Sequence, residues 1–155
     1  MERPHIEYMK KCIELGKKAL ANGDPPVGSI VVLDEEIIGE GIESGKTTND
    51  NTNHAEILAI RDSIVRGYKN DLRDSVLYTT HEPCIMCSYL IRQHQISTIV
   101  YGVSVDHVGG HSSKFDILDT EIVPKWGQKP KIIEGVLASE CEQLTDRFKR
   151  AQKGN

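Results

Sequence analysis

Residues 75–103 constrain the fold more than any other stretch. They run from a β-branched and aromatic segment, 75–80, through a helical segment at 84–93, to a second β-branched segment at 96–103. A strand, a helix and a strand joined by a few residues each bring the chain back to the same end of a sheet. The two strands then pair in parallel, with the helix packed across the sheet face. This unit makes the chain α/β, and the rest of the sequence attaches to it. Ahead of it, Ile6, Met9, Ile13 and Leu20, with Leu15 and Ala19 beside them, give 5–21 a helical period. Asn22-Gly23-Asp24-Pro25-Pro26 stops that helix. Residues 29–33 and 37–42 are β-branched runs on either side of Asp34-Glu35-Glu36, an antiparallel hairpin. A polar loop at 43–53 leads into a second helix at 54–66. Residues 104–130 are rich in Gly, Ser and Pro and show no clear period, whereas 132–136 and 138–151 suit a last strand and a last helix. With no internal repeat or low-complexity linker, one α/β domain over 1–155 is expected.

The 155 residues, 38% hydrophobic and 27% charged, have the composition of a globular chain with an ordinary core. No apolar run approaches the ~20 residues needed to span a bilayer, so no membrane partner is expected. Met1-Glu2-Arg3-Pro4-His5 lacks the apolar core of a secretory signal. The expected location is the cytoplasm, where thiols stay reduced. Cys12 and Cys141, isolated near opposite ends, suit small buried hydrophobes; Cys84 and Cys87, three apart, point to metal or redox chemistry. The net charge of -4 offers no overall attraction for a polyanion.

Two short motifs carry the chemistry: His54-Ala55-Glu56 and Pro83-Cys84-Ile85-Met86-Cys87. Each alone has a plain structural reading. A His at a helix start can cap it, Asn53 with Glu56 matches a capping box, and Cys-x-x-Cys occurs in redox pairs and zinc knuckles. Together they are much narrower. Catalytic zinc takes three protein ligands and keeps a fourth position open. His54, Cys84 and Cys87 supply one nitrogen and two sulfurs, and the sequence has no fourth Cys or His at knuckle spacing. A helix start also favours thiolates, the metal-binding form. Glu56, two residues from a ligand, is placed to move protons between water, a ring nitrogen and a leaving amine. The combined pattern is the signature of zinc-dependent base deaminases. The expected reaction is hydrolytic attack on an amidine-type ring carbon with loss of ammonia, on one zinc ion per chain. A closed structural zinc module would need a fourth ligand and would leave Glu56 without a role.

The chain resembles the cytidine deaminase-like superfamily, within the branch of tRNA adenosine deaminases and bacterial guanine and cytosine deaminases. The resemblance runs over nearly the whole chain: Pro26-Val27-Gly28, Ile38-Gly39-Glu40-Gly41, His54-Ala55-Glu56-Ile57, Leu77-Tyr78-Thr79-Thr80, Glu82-Pro83-Cys84-Ile85-Met86-Cys87 and Gly135-Val136-Leu137-Ala138. It implies a three-layer α/β/α fold with a five-stranded mixed sheet, His54, Cys84 and Cys87 as zinc ligands, Glu56 as proton shuttle, and a homodimer. It also implies an apolar floor under the ring from Val27 and Gly28. Glu43, His54, Ala55, His81, Glu82, Pro83 and Asp106 complete the expected substrate-binding set.

The departures from that branch bear on the substrate. Glu43 stands where the branch usually carries an Asn that hydrogen-bonds the substrate; a carboxylate accepts, whereas an amide also donates. Asn53 replaces a small residue usual in the tRNA enzymes, His81 adjoins the Glu82-Pro83-Cys84 turn, and residues 109–113 form a Gly- and Ser-rich run where relatives carry substrate-contacting loops. Arg147, Lys149, Arg150 and Lys153 make the end of the last helix basic, as in tRNA adenosine deaminases, although Glu140, Glu142 and Asp146 share it. Whole-chain acidity and the altered loops favour a free base, nucleoside or related heterocycle over tRNA. Deamination of adenosine in the tRNA anticodon is the alternative.

Overall fold

The computed structural model describes residues 2–154. Its helices are α1 (Arg3–Ala21), α2 (Ala55–Val65), α3 (Ile85–Gln93) and α4 (Ala138–Lys153); its strands are β1 (Gly28–Leu33), β2 (Glu36–Ile42), β3 (Val76–His81), β4 (Thr98–Val103) and β5 (Lys131–Ile133). The strands form one sheet in the order β2-β1-β3-β4-β5. β1 runs antiparallel to both β2 and β3, whereas β3, β4 and β5 are parallel. The sheet is therefore mixed, as expected. Two 3-10 turns, Lys69–Asp74 and Pro124–Trp126, lie outside the periodic pattern and were not anticipated.

Alternation along the strands builds two cores. Ile30, Val32, Tyr78 and Val100 face α1 and α4, where they meet Met9, Cys12, Cys141 and Leu144. Val31, Leu77, Ile99 and Tyr101 face α2 and α3, where they meet Ile60 and Ile91. Each fully buried aliphatic side chain contributes about 1.5–3 kcal/mol. Cys12 and Cys141 are wholly buried in the first core, in line with their reading as small hydrophobes. The hairpin turn is two residues rather than three: Asp34 and Glu35 both have positive φ, 48° and 68°, and Glu36 already belongs to β2. Such a turn matches the twist of the flanking strands.

Two features place the site. Gly41 lies where α2 crosses β2, and a Cβ there would run into the Ala55 carbonyl oxygen. The missing side chain lets the first turn of α2 sit directly on the sheet. α3 begins immediately after β3, so both helix starts stand over the same end of the sheet, where β1 and β3 pair Ser29 with Thr79.

Candidate zinc centre and catalytic pocket

His54 is the residue that starts α2 and Cys84 the one that starts α3; Cys87 lies one turn inside α3. The sulfurs of Cys84 and Cys87 lie 3.4 and 3.5 Å from His54 Nδ1. The three donor atoms are all within 4.8 Å of one another, and no fourth His, Cys, Asp or Glu joins them among the described residues. One imidazole and two thiolates match the softness of zinc, and three ligands leave the open position of a catalytic site. The local electrostatics suit a dication. A hydrogen bond from the Cys87 thiol brings Cys84 down to about 4, and its hydrogen bond to Cys84 raises His54 to about 9. Cys87, the donor, is pushed up by that hydrogen bond and by burial. A bound cation takes the place of those shared protons.

Glu56 lies in the same pocket and is buried, at 4% exposure. The hydroxyls of Ser29 and Thr79, 2.8 Å apart, face its Oε1 at 3.2 and 3.4 Å. One hydroxyl can donate to the other and that one to the carboxylate, which fixes Oε1 and leaves Oε2 for chemistry. Burial first, and then the charge of Cys84, raises Glu56 to about 7. The capping-box reading fails here. α2 has no side-chain cap, and the Asn53 side chain turns away to Thr48 and Arg61.

The pocket, about 540 Å³, is lined by Pro25, Val27, Glu43, Lys46, Asn49 and Asn51 as well as by His54, Glu56, His81, Glu82 and Cys84. Of the expected substrate-binding set, Val27, Glu43, His54, His81 and Glu82 line the wall. Glu43 is buried at 6% exposure, and its Oε2 accepts the Gly45 amide at 2.9 Å. Burial raises its pKa, and the Gly45 hydrogen bond and the nearby His54 pull it back.

Several expected residues are held by bonds and packing of their own, and two of these, His81 and Glu82, also line the pocket. Gly28 faces α1: a Cβ there would strike the Cys12 carbonyl oxygen, so it adds nothing to the floor under a ring. His81 has both ring nitrogens engaged, Nδ1 with Thr80 Oγ1 at 2.8 Å and Nε2 with Thr145 Oγ1 at 2.6 Å. It ties β3 to α4 while lining the pocket, and burial lowers it to about 4, leaving it neutral. Glu82 reaches the wall, yet its carboxylate accepts from the amides of Val105, His111 and Ser112 and from the Ser112 hydroxyl. Residues 109–113 are thus wrapped around Glu82 rather than closed over the pocket. The Pro83 carbonyl accepts from Gly110 and Ser88, and Ala55 is wholly buried under β2. Asp106 lines a separate depression with Gly102 and Glu134.

Sequence reasoning missed Ser29, Thr79 and Lys46. The first two meet only through strand pairing across 50 residues. Lys46 was an ordinary loop residue until the fold set it beside α4, with Nζ 3.2 Å from Gln152 Oε1 and over the ring of Phe148.

The pattern of a dithiolate–imidazole centre beside a buried carboxylate agrees with comparison to known families. Residues 2–103 match the cytidine and deoxycytidylate deaminase zinc-binding region, and the chain belongs to that family. It is a zinc-dependent hydrolase that cleaves the C–N bond of a cyclic amidine. The tRNA-specific adenosine deaminase of Haemophilus influenzae is 38% identical over 143 residues, 92% of this chain and 81% of that protein. The tRNA-specific adenosine deaminase 2 of Danio rerio is 33% identical over 155 residues, 96% of this chain and 72% of that protein. A solved structure from work on A-to-I editing by tRNA:A34 deaminases superposes with a TM-score of 0.81 at 27% identity, covering 89% of this chain and 98% of that one.

These relatives overturn the expectation of a free base or nucleoside as substrate and of a small molecule as the main partner. The error has a physical source: net charge is a sum over the whole chain, whereas RNA meets a local field. Arg147, Lys149, Arg150 and Lys153 are all exposed on α4, whose end reaches Lys46 at the pocket mouth. Among the described residues no helix is long and apolar enough to cross a membrane.

Proposed function

We propose that this protein converts adenosine to inosine in tRNA by hydrolytic deamination, through one domain spanning residues 1–155. The observation that carries the reading is the meeting, in one pocket, of the His54-Cys84-Cys87 cluster, the buried Glu56 and Lys46, whose side chain reaches the end of α4. The similarity to tRNA-specific adenosine deaminases over more than nine-tenths of the chain supports the choice of base and carrier.

In this reading His54 Nδ1 and the sulfurs of Cys84 and Cys87 hold zinc. When bound, zinc supplies the Lewis acidity that makes water a nucleophile at neutral pH. Glu56 Oε2 accepts a proton from the attacking water and delivers it to N1 of the ring; a second proton passes by the same oxygen to the departing amine. Oxygen is gained at C6 and ammonia is lost. A carboxyl group near 7 is suited to both directions of transfer. Val27 packs against the ring, and Lys46 with the α4 cations holds the flanking phosphates, which position RNA without specifying it. A cytoplasmic location belongs to the same reading, because the two thiolates must stay reduced. Pairing of two copies belongs to it as well.

The test is inosine formation in an anticodon stem-loop carrying adenosine at the wobble position, set against ammonia release from free adenine, guanine, cytosine and adenosine. Inosine in the hairpin, at a rate that falls steeply with added salt, is the expected result. Turnover of a free base with the hairpin untouched would refute the proposal.

A further inference from the structure

Within the pocket wall one carboxylate has no task in the chemistry just described. Glu43 lies just beyond β2 and is buried, facing the space that Glu56, His54 and Val27 also line. Its Oε2 accepts the Gly45 amide at 2.9 Å, and the Ala55 amide at the start of α2 also draws on the carboxylate. Among the described residues Oε1 forms no well-aligned hydrogen bond of its own and is not sealed in, and the residue lines the pocket, so this oxygen is available to a ligand there. A buried carboxylate oxygen facing a binding cavity can only accept, and it is stable there only against a group that donates.

Taken with the proposed reaction, on which this step rests, that requirement is restrictive. An adenosine within an RNA strand offers very few donors. Its ring nitrogens N1, N3 and N7 accept, and its amino group is the one being removed beside Glu56. Its 3′ and 5′ oxygens are esterified. The 2′-hydroxyl alone remains, and this group is what distinguishes RNA from DNA at a given nucleotide. We infer that Glu43 Oε1 accepts a hydrogen bond from the 2′-hydroxyl of the target adenosine, so that the pocket selects a ribonucleotide through the reacting residue itself. Glu43 is then a specificity-determining residue, separate from the proton transfers assigned to Glu56.

The experiment uses anticodon hairpins that are ribonucleotide throughout except at the target adenosine, which carries 2′-hydroxyl, 2′-hydrogen or 2′-fluorine. Single-turnover inosine formation is measured with the wild-type protein and with Glu43→Gln. The wild type is expected to lose about 10-fold or more on either change. The fluoro substrate should be the slower of the two modified ones, because fluorine sets lone pairs against the carboxylate while keeping a ribose-like pucker. In Glu43→Gln the amide oxygen stays with the Gly45 N–H and turns its NH2 to the pocket, so the wall donates instead of accepting. The order of the 2′-fluoro and 2′-hydrogen substrates should then invert. Wild-type rates on the three hairpins within about twofold of one another would overturn the inference without any variant, since no site built on that contact tolerates its loss. An unchanged order in a folded, zinc-loaded Glu43→Gln would also overturn it. Silence toward the all-ribonucleotide hairpin is a separate result: it refutes the proposed reaction, and the inference falls with it.

Discussion

Replacing Glu82 by Gln removes one negative charge and turns one acceptor oxygen into a donor, at a residue only 3% exposed. The wild-type Oε1 accepts from the Val105 amide at 2.8 Å and from the Ser112 hydroxyl. Oε2 accepts from the amides of His111 at 2.9 Å and Ser112 at 2.7 Å. The best arrangement for Gln keeps its oxygen on the His111 and Ser112 pair and lets the Ser112 hydroxyl rotate to accept. The Val105 N–H then faces an NH2 group. One buried donor without a partner costs about 1–3 kcal/mol, and two charge-assisted bonds reduced to neutral ones cost about 1 kcal/mol each. The expected loss is about 4 kcal/mol, or roughly 8–16 °C in Tm for a chain of this length. Urea denaturation of zinc-loaded wild type and Glu82→Gln measures it, and amide exchange should show Val105, His111 and Ser112 losing protection. If the midpoint corresponds to less than about 1 kcal/mol and those amides stay protected, Glu82 does not hold the loop. The expectation that it contacts substrate would then need to be revisited.

Glu56→Gln should keep its zinc, as metal analysis would show, but lose about 10²-fold or more in turnover, because the amide cannot carry a proton; wild-type rates would remove Glu56 from the mechanism. His81 gives the stability a definite dependence on pH. Its folded value of about 4 lies below the ordinary 6.5, so the unfolded chain takes up a proton that the folded one refuses. Its contribution is complete above about pH 6.5 and is lost as pH falls from there through 4, by roughly 3 kcal/mol in all. Denaturation midpoints should trace that slope, and His81→Gln should flatten it; equal slopes would exclude His81 as its source. Gly28→Ala should lower stability by about 2 kcal/mol or more, since the added Cβ overlaps α1 backbone at Cys12 and Gly16; a melting temperature within a degree of wild type would contradict that packing.

Much of the architecture was legible in the sequence because it depends on local period. The alternation that sends Val31 to one core and Ile30 and Val32 to the other is visible in the sequence itself, as is the strand–helix–strand run that makes β3 and β4 parallel. The zinc ligands were legible for a related reason, since each helix start carries its own short motif. What escaped depends on register between distant strands or on where a loop comes to rest. Ser29 and Thr79 become partners of Glu56 only once β1 and β3 align. His81 and Glu82 sit beside the motif and line the pocket, but the engagement of their polar atoms by Thr80, Thr145 and the 105–112 backbone was not visible in the sequence. Asp106, three residues beyond β4, lines a separate depression, although its neighbour Val105 reaches the pocket.

Residues 43–53 carry Glu43, Lys46, Asn49 and Asn51 into the pocket, yet they are moored elsewhere. The buried Asp24 accepts from the Thr47 amide at 2.8 Å and from its hydroxyl at 2.7 Å, and Lys46 leans on Gln152 and Phe148 of α4. Neither anchor involves His54, Glu56, Cys84 or Cys87, although the loop also meets the start of α2 where the Ser44 amide donates to the Asn53 carbonyl. Heredity can therefore act on the two halves separately. Substitutions in the loop can accumulate, retuning which substrate is admitted, while the reacting groups keep their positions. A lineage built this way can move from one amino-bearing ring to another without passing through an inactive ancestor, and laboratory selection for a new substrate has the same short stretch of chain to work on.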